Sequence, residues 1–156
     1  MKHSKAFASF LVLAPALSLA LGACTGMSRA ERAQARLEEM DLYIQNAGEP
    51  ISSFNFLGRL EEWHNLDDNL LVVRTNFNDA YLIKVMGPCH ELSSALTVGL
   101  TSRGGFVGLG DSVIAGRDRC PITEIRPVDY KAVREAKRLA AKERREARAA
   151  SEKAER

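Results

Sequence analysis

The sequence predicts an α+β domain: a small antiparallel β-sheet or barrel of five to six strands, an N-terminal helix and a long charged C-terminal helix. Three observations carry this. Leu70–Thr75 and Ala80–Val85 are dense apolar, β-rich runs joined by the turn formers Asn76-Phe77-Asn78-Asp79, which is a hairpin pattern. Ser28-Arg29-Ala30-Glu31 reads as a capping box ahead of apolar residues at helical spacing. Lys131–Arg156 holds eight Ala and fifteen charges, a composition that favours helix.

In chain order, the first helix opens at Ser28 and carries Ala30, Ala33, Leu37, Met40 and Ile44 on one face. Gly48 is expected just past its end, and Pro50 prevents its resumption. Met40 and Tyr43 are expected beneath the helix, in contact with the sheet. Phe54 and Phe56 alternate with polar neighbours as a strand would, and Gly58 is expected at a bulge. Leu60–His64 continues that strand with Trp63 in the core, and Asn65–Asn69 reads as a loop before the hairpin. Gly87-Pro88 ends the hairpin, and Cys89–Ala95 looks like a short helical turn. Leu96–Leu100 and Phe106–Val107 are expected to pair across a turn at 102–105, with further short strands at Asp111–Ala115 and Ile122–Ile125. Asp129 can cap a final helix from Tyr130 onward, of which only the first turns pack on the body.

Length allows one domain, and the net charge of +2 conceals an asymmetry. From Lys131 to the end there are ten Lys+Arg against five Glu; from Cys24 to Tyr130 there are ten Lys+Arg against fifteen Asp+Glu. An acidic body therefore carries a basic tail, whose pairs Lys131–Glu135, Lys142–Glu146, Arg148–Glu152 and Glu152–Arg156 recur at helical spacing.

Residues 1–23 are a leader: a basic start at Lys2 and Lys5, an apolar run from Ala6 to Ala20, and then Leu21-Gly22-Ala23-Cys24. That ending resembles the lipobox of bacterial lipoproteins. The resemblance implies cleavage before Cys24 and acyl chains on it, and two or more chains anchor stably. Residues 24–27 are then a short lipidated tether, 28–130 a single domain and 131–156 a helical tail. Thr25, in place of Asp, implies sorting to the outer membrane by the enterobacterial pattern. Removing Cys24 leaves Cys89 and Cys120, and in an exported protein an even pair is expected to form a disulfide. The alternative is a metal site or reactive thiol with Cys89-His90 as half of it; zinc needs three or four ligands, and there is no CxxC pair.

Candidate chemistry is sparse. His64 with Asp67 or Asp68 could form an acid–base pair, with a nucleophile from Ser93, Ser94, Ser102 or Ser112, yet none of these serines sits in a nucleophile elbow. Gly105-Phe106-Val107-Gly108-Leu109-Gly110 lacks the Lys-Ser/Thr of a phosphate loop and reads as a glycine-rich hairpin connection. Arg74, Arg103, Arg126 and Asp129 form a candidate binding surface. Arg74, in an apolar strand, is either paired with a carboxylate or displayed at the sheet edge.

Taken in order, Glu49-Pro50-Ile51-Ser52-Ser53-Phe54, Trp63-x-x-Leu66, Leu70-Leu71-Val72, Ala80-Tyr81-Leu82, Gly87-Pro88-Cys89 and Cys120-Pro121-Ile122-x-x-Ile125-Arg126-Pro127-Val128-Asp129 resemble a family of small proteobacterial lipoproteins and exported proteins classed as domain of unknown function 6491. The similarity covers about Ser28 to Lys137. It implies an exported address and supplies no catalytic residues. The expected function is an envelope-anchored, non-enzymatic binding or structural module on the periplasmic face of the outer membrane, with no cofactor and no metal. Its expected partners are the membrane, through Cys24, and anionic envelope polymers or an envelope protein, through residues 131–156; nucleic acid is not expected in the periplasm. The alternatives are a small periplasmic hydrolase using His64, and an inhibitor or chaperone-like binder.

Overall fold

A computed structural model describes residues 28–154; the leader, Cys24 and the 24–27 tether lie outside the described residues. Helix α1 (Arg29–Gln45) starts at Ser28, whose hydroxyl accepts from the Glu31 amide while the Glu31 carboxylate accepts from the Ser28 amide, as the capping box requires. It ends at Asn46, one turn tied off by Asn46 Nδ2 donating to the Leu42 carbonyl. Gly48 does not close the helix in a left-handed conformation. It passes against Pro127, where a Cβ would lie 3.2 Å from the Pro127 ring, and its amide donates to the Pro127 carbonyl.

Eight strands follow: β1 (Ser53–Asn55), β2 (Glu62–Asp67), β3 (Leu70–Arg74), β4 (Ala80–Val85), β5 (Val98–Leu100), β6 (Phe106–Gly108), β7 (Ser112–Ala115) and β8 (Asp118–Val128). Six form an antiparallel sheet in the order β2-β3-β4-β8-β7-β5, curled into a half-barrel, and β1 pairs with β6 as a small second sheet. Helix α2 (Tyr130–Ala154) completes the α+β fold. The hairpin of β3 and β4 forms as expected, with Leu70 opposite Lys84 and Arg74 opposite Ala80.

Alternation along the strands divides the core in two. Leu71, Val73, Ile83, Val85, Val113, Ile122 and Ile125 fill the inside of the curl together with Phe54 and Val107 from the small sheet and Phe56 just after β1. Trp63 packs on this side. Val72, Ala80, Leu82 and Val128 face the other way, beneath Tyr43 and Met40 of α1 and Val133 of α2. The expected contact of Met40 and Tyr43 with the sheet is therefore present.

Four connections differ from the sequence expectation. Phe106–Val107 pairs with β1, and β5 pairs with β7. Gly104 and Gly105, both with positive φ, turn the chain sharply at Arg103. Gly108 then lets the Ser52 carbonyl approach to where a Cβ would sit 3.2 Å away, so the chain lies against β1. Asn65 and Asp67 belong to β2, which reaches a tight turn at Asp68-Asn69 through a bulge between Asn65 and Asp67. The expected short strand at 122–125 is the middle of an 11-residue strand. Leu60–His64 does not continue the Phe54 strand: Gly58, with φ +79°, turns the chain from β1 in the small sheet to β2 in the large one.

The turn after β4 carries Cys89, which is bonded to Cys120 of β8 across a separation of 31 residues. Closing such a loop stabilises a domain by about 3–4 kcal/mol. Reduction, or joint Cys89→Ser and Cys120→Ser substitution, is expected to lower the melting temperature by about 10 °C in calorimetry, given the enthalpy of a domain of this size.

Candidate functional site

The strongest concentration of charged and polar side chains lies where β2 and β3 meet the two helices. Glu62 and His64, two residues apart on β2, point to the same face, and Arg74 stands opposite Glu62 across the ladder. Glu62 accepts from three donors: His64 Nε2 at 2.9 Å, Arg74 Nε at 3.0 Å and the Tyr130 hydroxyl at 3.0 Å. Arg74 also donates to Glu61 at 2.7 Å and its guanidinium lies over the Tyr130 ring. Burial pushes the Glu62 carboxyl up, but hydrogen bonds from Tyr130, His64 and Arg74 outweigh it and hold the group below its ordinary value. Tyr130 is raised, by burial first and then by the carboxylate it serves.

A second group abuts the first. The wholly buried Tyr43 of α1 lies 6.4 Å, ring to ring, from His64. Lys137 of α2 donates to the Tyr43 hydroxyl at 3.2 Å and to Glu39 at 2.5 Å. Burial lowers Lys137, and the bonds to Glu39 and Tyr43 more than reverse it, so it stays a cation. Burial raises Tyr43, which stays neutral. These contacts clamp α1, α2 and the β2–β3 edge together.

The candidate surface residues singled out from sequence each hold a partner within the chain. Arg74 is spent on Glu61 and Glu62. Arg103 reaches Asp111 at 3.4 Å beside β6. Arg126 donates to the Gly48 carbonyl at 2.7 Å, and Asp129 caps α2 by accepting from the Ala132 amide at 3.0 Å. The partner of His64 is Glu62, and neither Asp67 nor Asp68, because Glu62 shares its face while the two aspartates stand at the turn. Ser93 and Ser94 sit in the turn after Cys89, Ser102 precedes β6 and Ser112 belongs to β7, whereas β2 pairs with β3. Cys89, Asp118 and Cys120 bring ligand atoms within 4.8 Å of one another, but both sulfurs are bonded to each other and Asp118 accepts from the Glu91 amide. The glycine-rich segment is also structural: Asp111, largely buried, accepts from the Gly108 amide at 2.9 Å.

Glu62, Tyr130, Tyr43 and Lys137 were not expected to meet. One signal was present, the Glu62-x-His64 spacing that puts a carboxylate and an imidazole on one strand face.

Beyond Lys137, α2 is exposed through Ala154. An open groove of about 680 Å³ runs between the helices, lined by Ala35, Leu42 and Ala136 together with Glu38, Glu39, Arg144, Arg145 and Arg148. Among the described residues, no helix is long and apolar enough to cross a membrane.

Because Glu62 is held below its ordinary value of 4.5, its contribution is complete above that pH and is lost as pH falls through the lower, folded-state value. Glu62→Gln is expected to lower stability by about 1–3 kcal/mol near neutral pH in urea unfolding, and to flatten the acid limb of the stability–pH curve.

No curated protein and no solved structure matches this chain. A family model described as a family of unknown function, DUF6491, matches residues 7–147. The match reaches further at both ends than the motifs from Glu49 to Asp129, back to residue 7 and along α2. On that coverage the chain belongs to the DUF6491 family of unknown function.

Proposed function

We propose that the chain is an envelope-anchored lipoprotein without catalytic chemistry, a binding or structural module displayed on the periplasmic face of the outer membrane. The observation that carries this reading is the division along α2. Its first two turns are locked into the body through Val133 and Lys137, and everything beyond is solvent-facing and rich in arginine. The Leu21-Gly22-Ala23-Cys24 sequence supports acylation and export. The Cys89–Cys120 bridge fits an oxidising compartment. Glu62, which accepts from Arg74 and Tyr130 as well as from His64, supports a structural role for the polar cluster. The partners proposed for α2 are anionic envelope polymers or an envelope protein, by charge complementarity.

The test is retention on lipopolysaccharide and on cell-wall sacculi, comparing the full chain with a variant ending at Leu139. That truncation spares Val133 and Lys137, so the body keeps its contacts. The full chain is expected to bind several-fold better at low salt, with the difference vanishing at high salt. Equal, salt-insensitive retention of the two proteins overturns the reading.

A further inference from the structure

We infer that the basic stripe of α2 lies along the anionic phospholipid headgroups of the same bilayer that holds Cys24; this rests on the anchored reading above. The two helices run antiparallel. Asn46 and Asp129 join them at one end by a 2.9 Å hydrogen bond between the Asp129 amide and the Asn46 carbonyl. Lys137 meets Glu39 further along, and Arg144 approaches Glu38 at 3.7 Å. Arg29 and Lys153 each lie nine residues beyond that last pair, away from the joined end. Measured from the joined end, α1 runs 17 residues and α2 25, so at about 1.5 Å per residue the last turn of α2 extends roughly 12 Å past the first turn of α1.

The tether sets the rest. Ser28 is four residues from Cys24, a span of at most about 14 Å when extended. A bilayer that takes up acyl chains at Cys24 is thus within reach of the basic end of α2. A short tether also raises the effective concentration of headgroups there, so weak individual contacts accumulate.

Charge is sorted around the helix as this contact needs. At about 100° per residue, Arg138, Arg144, Arg145 and Arg148 fall within roughly a third of the circumference, with Lys137 and Glu152 in the same arc and Glu143 and Glu146 outside it, so the stripe is net basic. Arg144, Arg145 and Arg148 line the groove that Glu38 and Glu39 of α1 also line, and Arg144 approaches Glu38, both of those two side chains being mostly exposed. Headgroup phosphates attract such juxtamembrane arginines, and the attraction fades within a Debye length. A phosphate surface close to the tether suits this stripe better than a distant polymer does.

The experiment uses the full-length acylated protein reconstituted in vesicles of phosphatidylcholine alone or with phosphatidylglycerol. An environment-sensitive fluorophore is attached through Ala149→Cys, and a spin-labelled headgroup lipid serves as quencher. The expected result is quenching at least about twofold stronger with phosphatidylglycerol, reversed by about 0.5 M salt and by Arg145→Glu with Arg148→Glu. That pair of substitutions spares the Arg144–Glu38 contact. Equal quenching on both vesicles, with the protein still retained in high salt, overturns the headgroup contact and leaves the anchor standing. Release of the protein from both vesicles in high salt overturns the anchored reading itself, and this inference with it.

Discussion

The structure depends on β8 being shared. Its first half pairs with β7, from Ser112 opposite Pro121 to Ala115 opposite Asp118, and its second half pairs with β4, from Val85 opposite Ile122 to Ala80 opposite Val128. The register slips between Lys84 and Val85, close to where Pro121 lacks an amide to donate. A long strand that changes partner in this way bends, and the sheet curls round Ile122 and Ile125. Other parts then attach to it. Ile51 and Gly48 donate to the carbonyls of Ile125 and Pro127, Cys120 holds the turn after β4, and α2 begins two residues past its end.

The helix side of the sheet is held by different physics. Its apolar layer is thin, with Val133 the one fully buried side chain of α2. The deficit is met by charge: Glu62, Arg74 and Tyr130 on one side, Glu39, Lys137 and Tyr43 on the other. Such a cluster costs desolvation and returns orientation, since each donor accepts only a narrow approach. It aims α2 along α1 while leaving its outer half undemanding of the core.

What could be read from the residues was local. The capping box at Ser28 and Glu31, the hairpin at 70–85, the cap at Asp129 and the pairing of the two described cysteines all depend on near neighbours or simple counting. The partner of β6 was not legible, because it is decided by Gly108 admitting a backbone from some 55 residues earlier. Pro121 and Pro127 interrupt the strand pattern and hid the full length of β8, since proline rarely sits inside a sheet. The Glu62 hub escaped for a similar reason. Its three donors stand 2, 12 and 68 residues away in sequence, and nothing in composition links them.

The antiparallel helices send the two ends of the described chain out in the same direction, away from the curled sheet. Past Arg144 the last turns of α2 carry no buried side chain. Residues could accumulate or disappear there, a helical turn at a time, with little effect on folding. The length of this arm is therefore a quantity the fold leaves open, much as a handle can be recut without reforging the blade.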